Sequence, residues 1–524
     1  MSSLNQLRLD LLRIAVKWGE GISRTGSPYG WLIDSREFLL QGDFLERVCE
    51  ELGPRLDTYA YDSVAGYTLA AHPLAIGLAA WAARQGRRLN VNLIRREPKA
   101  DGLQRQIEGP PIQPGQRVLL VDDLINSGST QVSAVRLVRQ AGGVVAGVAV
   151  ILDYERGGSA WLGGQNIPVE RLFTLAEMGI QKPSGLSLPG PVWQRADLNR
   201  GEYSAPKSSA CFYEDKIYIG SDQGFLLCCD RLGGEKWRFP VRDRQRGIHA
   251  TPCAWQGQIY FGAYDGYLYC LNAVSGQLVW ELRPGQWIGS SPLVDQGQLF
   301  VGIEFGQMGG SLIGVDALEG RQLWEVSAGD YVHSGPCLAG SRVCFGANDG
   351  IVRAVDRNSG DLQWKFYTQG PIKSDLVSDG KRVLVASGDG VLYCLQAEDG
   401  SLLWKRRLSR QLYCRPLIVD DKVLAGGDGT CLIACRLEDG QVQWAAPLGS
   451  SLVGGACLGP GDHIWATGLG GTVACISREG SPLGYWETDH PIRNRPSGDA
   501  QLCCLADMVG NLYTFGCDNQ SQRS

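Results

Sequence analysis

The pattern of apolar positions divides the chain near residue 180. Before that point, apolar runs with strand character alternate with segments whose apolar residues recur at helical spacing, as at 117–122, 132–141 and 144–152. This alternation is typical of a parallel sheet covered by helices. We therefore predict an α/β domain at residues 1–182.

A fixed period replaces this alternation beyond residue 200. The segments 259–280, 343–364, 383–404 and 423–444 each hold a strand, a DG turn, a second strand, another glycine turn and a final tryptophan. A repeat of about 40 residues is the length of one four-stranded propeller blade. Spacings of 40 to 44 residues separate Trp237, Trp280, Trp324, Trp364, Trp404, Trp444 and Trp486.

The two ends of the repeat region decide the number of blades. The last unit, at 492–517, supplies three strands but no closing tryptophan strand, and Trp193 stands 44 residues before Trp237. If the Trp193 segment forms the outer strand of the last blade, seven complete units and one shared blade make eight. We predict an all-β eight-bladed propeller at 199–518, with seven blades as the alternative, after a linker at 183–198 that carries the closing strand and before a tail at 519–524.

The repeat resembles the family named for pyrroloquinoline quinone (PQQ) enzymes, and the resemblance implies the propeller fold. Quinoprotein dehydrogenases of that family carry a calcium ion and an adjacent cysteine pair that stacks on the cofactor. Here the pairs Cys228–Cys229 and Cys503–Cys504 lie inside apolar strand patterns. We expect no PQQ, a propeller that serves as a binding platform, and structural roles near the channel for His249, His333 and Arg415.

Composition narrows the class of protein. The chain has 44% hydrophobic and 20% charged residues and a formal net charge of −5, without the basic excess of a nucleic-acid binder. It has no apolar run of about 18 residues and no recognisable secretion signal, so we predict a cytoplasmic protein that neither spans a membrane nor binds nucleic acid. The 17 cysteines are then expected as buried free thiols, and the absence of a CxxC pair argues against a structural metal site.

The segment 118–130, Val-Leu-Leu-Val-Asp-Asp-Leu-Ile-Asn-Ser-Gly-Ser-Thr, carries the most specific chemistry. A buried strand ends in two carboxylates, and a loop of Ser, Gly and Thr opens a helix. Backbone N–H groups at a helix start bind phosphate, whereas carboxylates suit vicinal hydroxyls. The segment thus predicts a sugar-phosphate site.

This segment closely resembles the signature of type I phosphoribosyltransferases, which bind phosphoribosyl pyrophosphate (PRPP). The resemblance implies that Asp122 and Asp123 hold the ribose hydroxyls. It implies a phosphate-binding loop made of Asn126, Ser127, Gly128, Ser129 and Thr130.

Three further segments are similar to the orotate branch of that family. Residues 95–102 with 107–109 match its mobile catalytic loop, which implies that Arg95, Arg96 and Lys99 stabilise the departing pyrophosphate and that the protein forms a homodimer. Residues 64–71 match its pyrophosphate loop, with Gly66 and Tyr67 against the diphosphate. Residues 23–26 with 31–34 match its base-binding region, where Arg24 replaces a lysine.

The chain departs from that branch at two further positions. Tyr154 stands where the family has an arginine that contacts orotate, with Arg156 two places later, and Asp101 replaces a loop histidine. Arg24, Tyr154 and Arg156 are the predicted base-binding residues.

Two functions remain open. One is a Mg²⁺-dependent transferase in which Lys99, Arg95 and Asp123 act in catalysis, Mg²⁺ arrives with PRPP, and a nucleobase-like acceptor, possibly orotate, displaces pyrophosphate. The alternative is a noncatalytic PRPP sensor with a partner-binding propeller. The loop cations favour the enzyme, and Asp101 and Tyr154 favour the sensor.

Overall fold

The computed structural model describes residues 3–22, 28–67, 69–95, 106–125, 128–155, 158–181, 185–196, 198, 208–244, 247–307, 309–427, 429–488 and 490–516, with the backbone alone at 18–22, 28–31 and 129. Two compact units result, one of residues 1–17 and 32–181 and one of residues 18–31 and 182–524. The α-helices are α1 (Ser3–Ile14), α2 (Arg36–Leu39), α3 (Gly42–Leu52), α4 (Ala71–Arg84), α5 (Ser129–Gln140) and α6 (Gly158–Gly164), with a 3₁₀ helix at Gly53–Thr58. No helix among the described residues is long and apolar enough to cross a membrane.

A six-stranded sheet forms the centre of the first unit, which confirms the predicted α/β class. Its spatial order is β5-β4-β3-β6-β7-β8, and every neighbouring pair is parallel except β4 with β5. The hairpin β1–β2 is a separate two-stranded sheet. The strands are β1 (Val16–Ile22), β2 (Pro28–Ile33), β3 (Ser63–Tyr67), β4 (Asn90–Ile94), β5 (Ile107–Glu108), β6 (Arg117–Ile125), β7 (Val144–Asp153) and β8 (Val169–Thr174).

Apolar runs form the middle strands because helices cover the sheet. Val118 and Leu120 of β6 and Val148 of β7 are buried in one cluster with Ala134 and Val138 of α5. Parallel strands end at the same edge, so the loops after β3, β6 and β7 meet beside one another. In open α/β sheets this edge is where ligands bind.

Eight four-stranded antiparallel sheets form the second unit, as predicted. In chain order the first four blades are β10 (Cys211–Tyr213), β11 (Lys216–Ser221), β12 (Phe225–Asp230), β13 (Glu235–Pro240); β14 (Cys253–Trp255), β15 (Gln258–Gly262), β16 (Leu268–Asn272), β17 (Leu278–Leu282); β18 (Leu293–Asp295), β19 (Gln298–Phe305), β20 (Gly309–Asp316), β21 (Gln322–Ala328); and β22 (Cys337–Ala339), β23 (Arg342–Gly346), β24 (Ile351–Asp356), β25 (Leu362–Tyr367).

The remaining four blades follow the same plan, and the eighth takes its outer strand, β9 (Trp193–Arg195), from before the first blade. Their strands are β26 (Val377–Ser378), β27 (Arg382–Ala386), β28 (Val391–Gln396), β29 (Leu402–Arg407); β30 (Leu417–Val419), β31 (Lys422–Ala425), β32 (Cys431–Arg436), β33 (Val442–Pro447); β34 (Ala456–Gly459), β35 (His463–Thr467), β36 (Thr472–Ile476), β37 (Pro482–Glu487); and β38 (Ser497–Gly498), β39 (Leu502–Ala506), β40 (Leu512–Gly516).

The closing strand lies where the tryptophan spacing predicted it. β9 pairs antiparallel with β40, with Trp193 opposite Thr514, so the eighth blade joins both ends of the propeller. The cysteine pairs also lie in strands as predicted: Cys228 and Cys229 in β12 and Cys503 and Cys504 in β39 are fully buried.

Every repeat tryptophan except Trp486 contacts the glycine turn of the next blade. The indole of Trp364 donates a hydrogen bond to the carbonyl of Ala397 (3.1 Å), and its ring covers Gly400, where an added Cβ would lie 2.5 Å away. The same contact recurs from Trp193 to Gly233 and from Trp404 to Gly440. Neighbouring blades are therefore held together by a tryptophan over a glycine that tolerates no side chain.

Replacing Gly400 with alanine is expected to destabilise the propeller by about 2–5 kcal/mol, because the residue has φ +73° and its Cβ would overlap the Trp364 ring. Gly257 has φ +75° with nothing within 4 Å of an added Cβ, so Gly257→Ala should cost only about 1 kcal/mol. Calorimetric melting of the two variants measures the difference. Equal destabilisation would contradict the proposed contact.

Candidate functional site

The carboxyl ends of three neighbouring strands place the predicted site residues together. β6 lies between β3 and β7, with Val121 opposite Gly66 and Ile125 opposite Asp153. The chain leaves β7 close to β6, since the backbone N–H of Tyr154 donates to the carbonyl of Ile125 (2.9 Å). Residues from all three loops therefore lie at the edge of the sheet where open α/β sheets have their ligand-binding crevice.

The two adjacent carboxylates have different surroundings. Asp122 is 4% exposed, and its carboxylate accepts hydrogen bonds from the backbone N–H of Asp123 (3.0 Å) and from Nε2 of Gln131 (2.8 Å). Burial, and then the charge of Asp123, raises the pKa of Asp122 well above its usual range. Asp123 is half-buried and accepts a hydrogen bond from the hydroxyl of Ser35.

The sequence alone does not distinguish Asp122 from Asp123, but their surroundings in the structure do. Asp123, at the margin of the crevice, is the one placed to accept hydrogen bonds from a ligand. Asp122 holds the first turn of α5 against the strand through Gln131, whose amide also donates to the carbonyl of Leu124 (3.2 Å).

Gly128 begins the helix that follows the loop. It is the residue before α5, with φ +80° in the left-handed region, and its carbonyl accepts the first helical hydrogen bond, from Val132 (2.8 Å). An added Cβ would lie 3.0 Å from Cα of Gly158. Both the left-handed backbone and this close approach to Gly158 therefore favour glycine at this position. Thr130 is half-buried, the side chain of Ser129 is not described, and Asn126 and Ser127 lie outside the described residues.

Gly66 allows a strand to pack against a helix. An added Cβ at this position of β3 would lie 2.9 Å from the carbonyl oxygen of Ala71, in the first residue of α4. The sequence predicted close approach to a diphosphate, and the structure adds a packing reason for the same glycine. Tyr67 is half-buried and packs against the core of the sheet.

Arg95 stands at the base of the predicted catalytic loop. Its backbone N–H donates to the carbonyl of Gln106 (2.9 Å), and its Nε lies 3.1 Å from the carboxylate of Glu108, with both side chains about half exposed. These contacts bring together the two ends of the segment 96–105. Arg96 and Lys99 fall outside the described residues.

The predicted base-binding end contains a buried aspartate. Asp153 is 2% exposed, accepts hydrogen bonds from Ser159 (2.6 Å) and from the N–H of Glu155 (2.7 Å), and has Arg171 at 3.5 Å. Tyr154 is 9% exposed, and its role at the base remains a prediction. Arg24 and Arg156 lie outside the described residues.

Four neighbours of the site were not found from the sequence: Ser35, Gln131, Ser159 and Arg171. Ser35 is 88 residues from its partner Asp123, so no local pattern indicates the contact. The position of Gln131 could have been predicted from the sequence, because it lies in the first turn of the helix that follows the loop.

Both halves of the chain are similar to known proteins. The family model described as outer membrane protein assembly factor BamB matches residues 222–346 and 348–493. The crystal structure of BamB from Moraxella catarrhalis aligns with a TM-score of 0.51 at 16% identity, over 60% of this chain and 95% of that chain, a likeness that shows the fold alone.

Curated relatives match the amino-terminal region, about a third of the chain. The orotate phosphoribosyltransferase of Streptomyces avermitilis is 35% identical over 167 residues, which cover 32% of this chain and 91% of the relative. That of Streptomyces coelicolor is 34% identical over 167 residues, again 32% of this chain and 91% of the relative.

The burial of Asp122 predicts a pH-dependent effect of Asp122→Asn. Because its folded pKa is raised, the carboxylate destabilises the fold above the unfolded pKa of about 4, and this penalty grows until the pH exceeds the folded pKa. The melting temperature of Asp122→Asn relative to the native protein should therefore rise as the pH increases above about 4. Asp43→Asn, at an exposed site, is the control, and a flat or falling difference for Asp122→Asn would contradict the prediction.

Proposed function

We propose that the amino-terminal domain is an active phosphoribosyltransferase, because over its first third this chain belongs to the orotate phosphoribosyltransferase family. Over residues 222–346 and 348–493 it belongs to the family of the outer membrane protein assembly factor BamB. The proposed reaction joins a nitrogen of a nucleobase-like acceptor to C1 of PRPP. The C1–oxygen bond to pyrophosphate breaks, pyrophosphate leaves with the electron pair, and the acceptor nitrogen releases its proton.

The observation that carries this proposal is the arrangement of β6, its loop and α5. Asp123 is half-buried at the end of the strand, and a left-handed glycine opens the helix immediately after the loop. A helix start attracts phosphate, and a carboxylate nearby accepts hydrogen bonds from ribose hydroxyls. We propose that these two features hold the two ends of one ribose 5-phosphate.

Departure of pyrophosphate would depend on cations from the segment after β4. Negative charge builds on the leaving group in the transition state, and preorganised cations stabilise it where water is excluded. Arg95 is already held at the base of that segment by Glu108. We propose that Lys99 and Arg96 complete the cationic loop.

We propose that Mg²⁺ enters with PRPP, bound by diphosphate and ribose oxygens. Its ligands are oxygens, and Asp123 presents carboxylate oxygens at the crevice, so this residue fits such an ion. The ion would neutralise charge on the diphosphate. The protein residues bind and orient the sugar and the leaving group.

Orotate is one candidate acceptor. Tyr154 occupies the position that the family fills with an arginine, and its side chain is nearly buried. A tyrosine cannot pair with the carboxylate of an acidic base as an arginine does, which favours a different acceptor.

We propose a cytoplasmic homodimer in which the propeller binds a protein partner or regulates the transferase. The described cysteines are all free, which fits a reducing compartment. The dimer is carried over from the orotate branch, whose mobile loop matches residues 95–102.

Pyrophosphate release from PRPP and Mg²⁺ over a panel of orotate, uracil and purines tests the reaction in the full chain. Lys99→Ala should lower turnover by about 10²-fold or more, and Asp123→Asn should weaken PRPP binding by about tenfold. The exposed Lys365→Ala is the matched control. PRPP binding without turnover on any base would contradict the proposed enzyme and favour the noncatalytic PRPP sensor.

Gly128→Ala should weaken PRPP binding by roughly tenfold. The backbone at this position is left-handed, which a residue with a Cβ disfavours, and the new methyl group would lie 3.0 Å from Gly158. The loop that would hold the phosphate must therefore shift. Gly163→Ala, with nothing within 4 Å of its Cβ, is the control, and calorimetric titration with PRPP is the measurement. Unchanged PRPP affinity in Gly128→Ala would contradict the proposal that this loop binds the phosphate.

A further inference from the structure

Ser35 brings an early segment of the chain to the carboxylate predicted to bind ribose. It lies two residues after β2 and directly before α2. Its hydroxyl donates a hydrogen bond to Oδ2 of Asp123, near the carboxyl end of β6. The contact therefore joins two parts of the domain that are distant in the sequence.

The backbone around Ser35 is held on both sides. The N–H of Asp34 donates to the carbonyl of Ala15 (2.8 Å). The carbonyl of Ser35 accepts hydrogen bonds from the N–H groups of Phe38 (3.1 Å) and Leu39 (2.8 Å), whose side chains are fully buried. Ser35 therefore presents its hydroxyl from a fixed backbone.

The usual structural roles of a serine before a helix do not account for this hydroxyl. Such a serine commonly caps the helix with its side chain, but the side chain of Ser35 makes no capping bond to α2. Nor is it a surface group, since the residue is 7% exposed. A buried hydroxyl requires a hydrogen-bond partner, and the carboxylate of Asp123 is that partner.

The charged residues on either side of Ser35 bind each other. Arg36 donates to the carboxylate of Asp34 through Nε (2.8 Å) and Nη2 (2.9 Å). This hydrogen bonding lowers the pKa of Asp34. Arg36 is thus engaged by Asp34, and the group that this segment offers to Asp123 is the neutral hydroxyl of Ser35.

A neutral donor suits a carboxylate that has to accept a ligand. A guanidinium neutralises the charge of a carboxylate and can occupy both of its oxygens, whereas a hydroxyl occupies one oxygen and leaves the charge in place. Holding Oδ2 also limits the directions in which the other oxygen of Asp123 can point. Ser35 can therefore orient this carboxylate without competing for it.

We propose that Ser35 is a positioning residue that holds the Asp123 carboxylate in the orientation that accepts the ribose hydroxyls of PRPP. This inference rests on the proposed function of the domain and adds a residue that the family resemblance does not assign. Ser35 directly follows residues 31–34, which belong to the predicted base-binding region. Its hydrogen bond therefore connects the acceptor end of the site to the ribose end.

Calorimetric titration of the full chain with PRPP and Mg²⁺ tests Ser35→Ala. Without the hydroxyl the carboxylate can turn away, so PRPP should bind about fivefold more weakly. Ser35→Thr retains a hydroxyl and should bind PRPP within about twofold of the native affinity. Ser63→Ala is the matched control, because it removes a fully buried hydroxyl at the start of β3, and that hydroxyl has no partner among the described residues. It should leave the affinity for PRPP unchanged.

A double-mutant cycle shows whether Ser35 acts through Asp123. In the Asp123→Asn background, Ser35→Ala should weaken PRPP binding by less than about twofold, because the carboxylate that the hydroxyl orients is gone. An equal loss in both backgrounds would overturn the proposal, since Ser35 would then act independently of Asp123. A folded Ser35→Thr that binds PRPP as weakly as Ser35→Ala would also overturn it.

The native chain separates this inference from the proposed function. If the native chain binds no PRPP, both fail. If it binds PRPP and Ser35→Ala binds equally well, the role of Ser35 alone is refuted. Melting temperatures establish that each variant is folded.

Discussion

Closure of the eighth blade by β9 is the constraint on which the propeller depends. Without β9 the eighth blade would have three strands and would expose the edge of β40, and β9 covers that edge by pairing with it. The same strand also contacts the first blade, because the indole of Trp193 donates to the carbonyl of Arg231 (2.8 Å) and covers Gly233. The segment after the amino-terminal domain therefore has a structural role. On either side of β9, the backbone N–H of Val192 donates to the carbonyl of Thr514 (2.6 Å), and that of Leu198 donates to the carbonyl of Gly510 (2.9 Å).

The propeller was predictable because the same contact between neighbouring blades recurs along the chain. A tryptophan that must cover the next blade's glycine recurs at a spacing set by four short strands, so the period, the blade number and the position of β9 all follow from one pattern. The crevice of the first unit was predictable for a different reason. A strand that ends in two carboxylates before a glycine loop has few structural alternatives, and β6, Gly128 and α5 follow that order.

What the sequence could not provide is the division of roles within the site. Asp122 and Asp123 are adjacent and chemically identical, yet alternation along β6 buries one beneath Gln131 and leaves the other beside Ser35. Such contacts arise from the tertiary fold, over 88 residues in the case of Ser35. The same holds for Asp153, which a local pattern places after a strand but whose partners Ser159 and Arg171 come from the next helix and the next strand.

Repetition also makes departures from a rule visible. In a propeller each blade solves the same packing problem, so a residue that differs at a shared position without improving packing has another cause. Gly289 is explained by packing, because an added Cβ would lie 2.8 Å from the hydroxyl of Tyr264, whereas Glu304 places a charge where burial is nearly complete. The carboxylate has a partner, since Nδ1 of His333 lies 2.8 Å from it. Glu304 lies in β19 of the third blade and His333 precedes β22 of the fourth, so the buried carboxylate is paired across two neighbouring blades. Losing the histidine would leave the charge buried without that partner, which is destabilising.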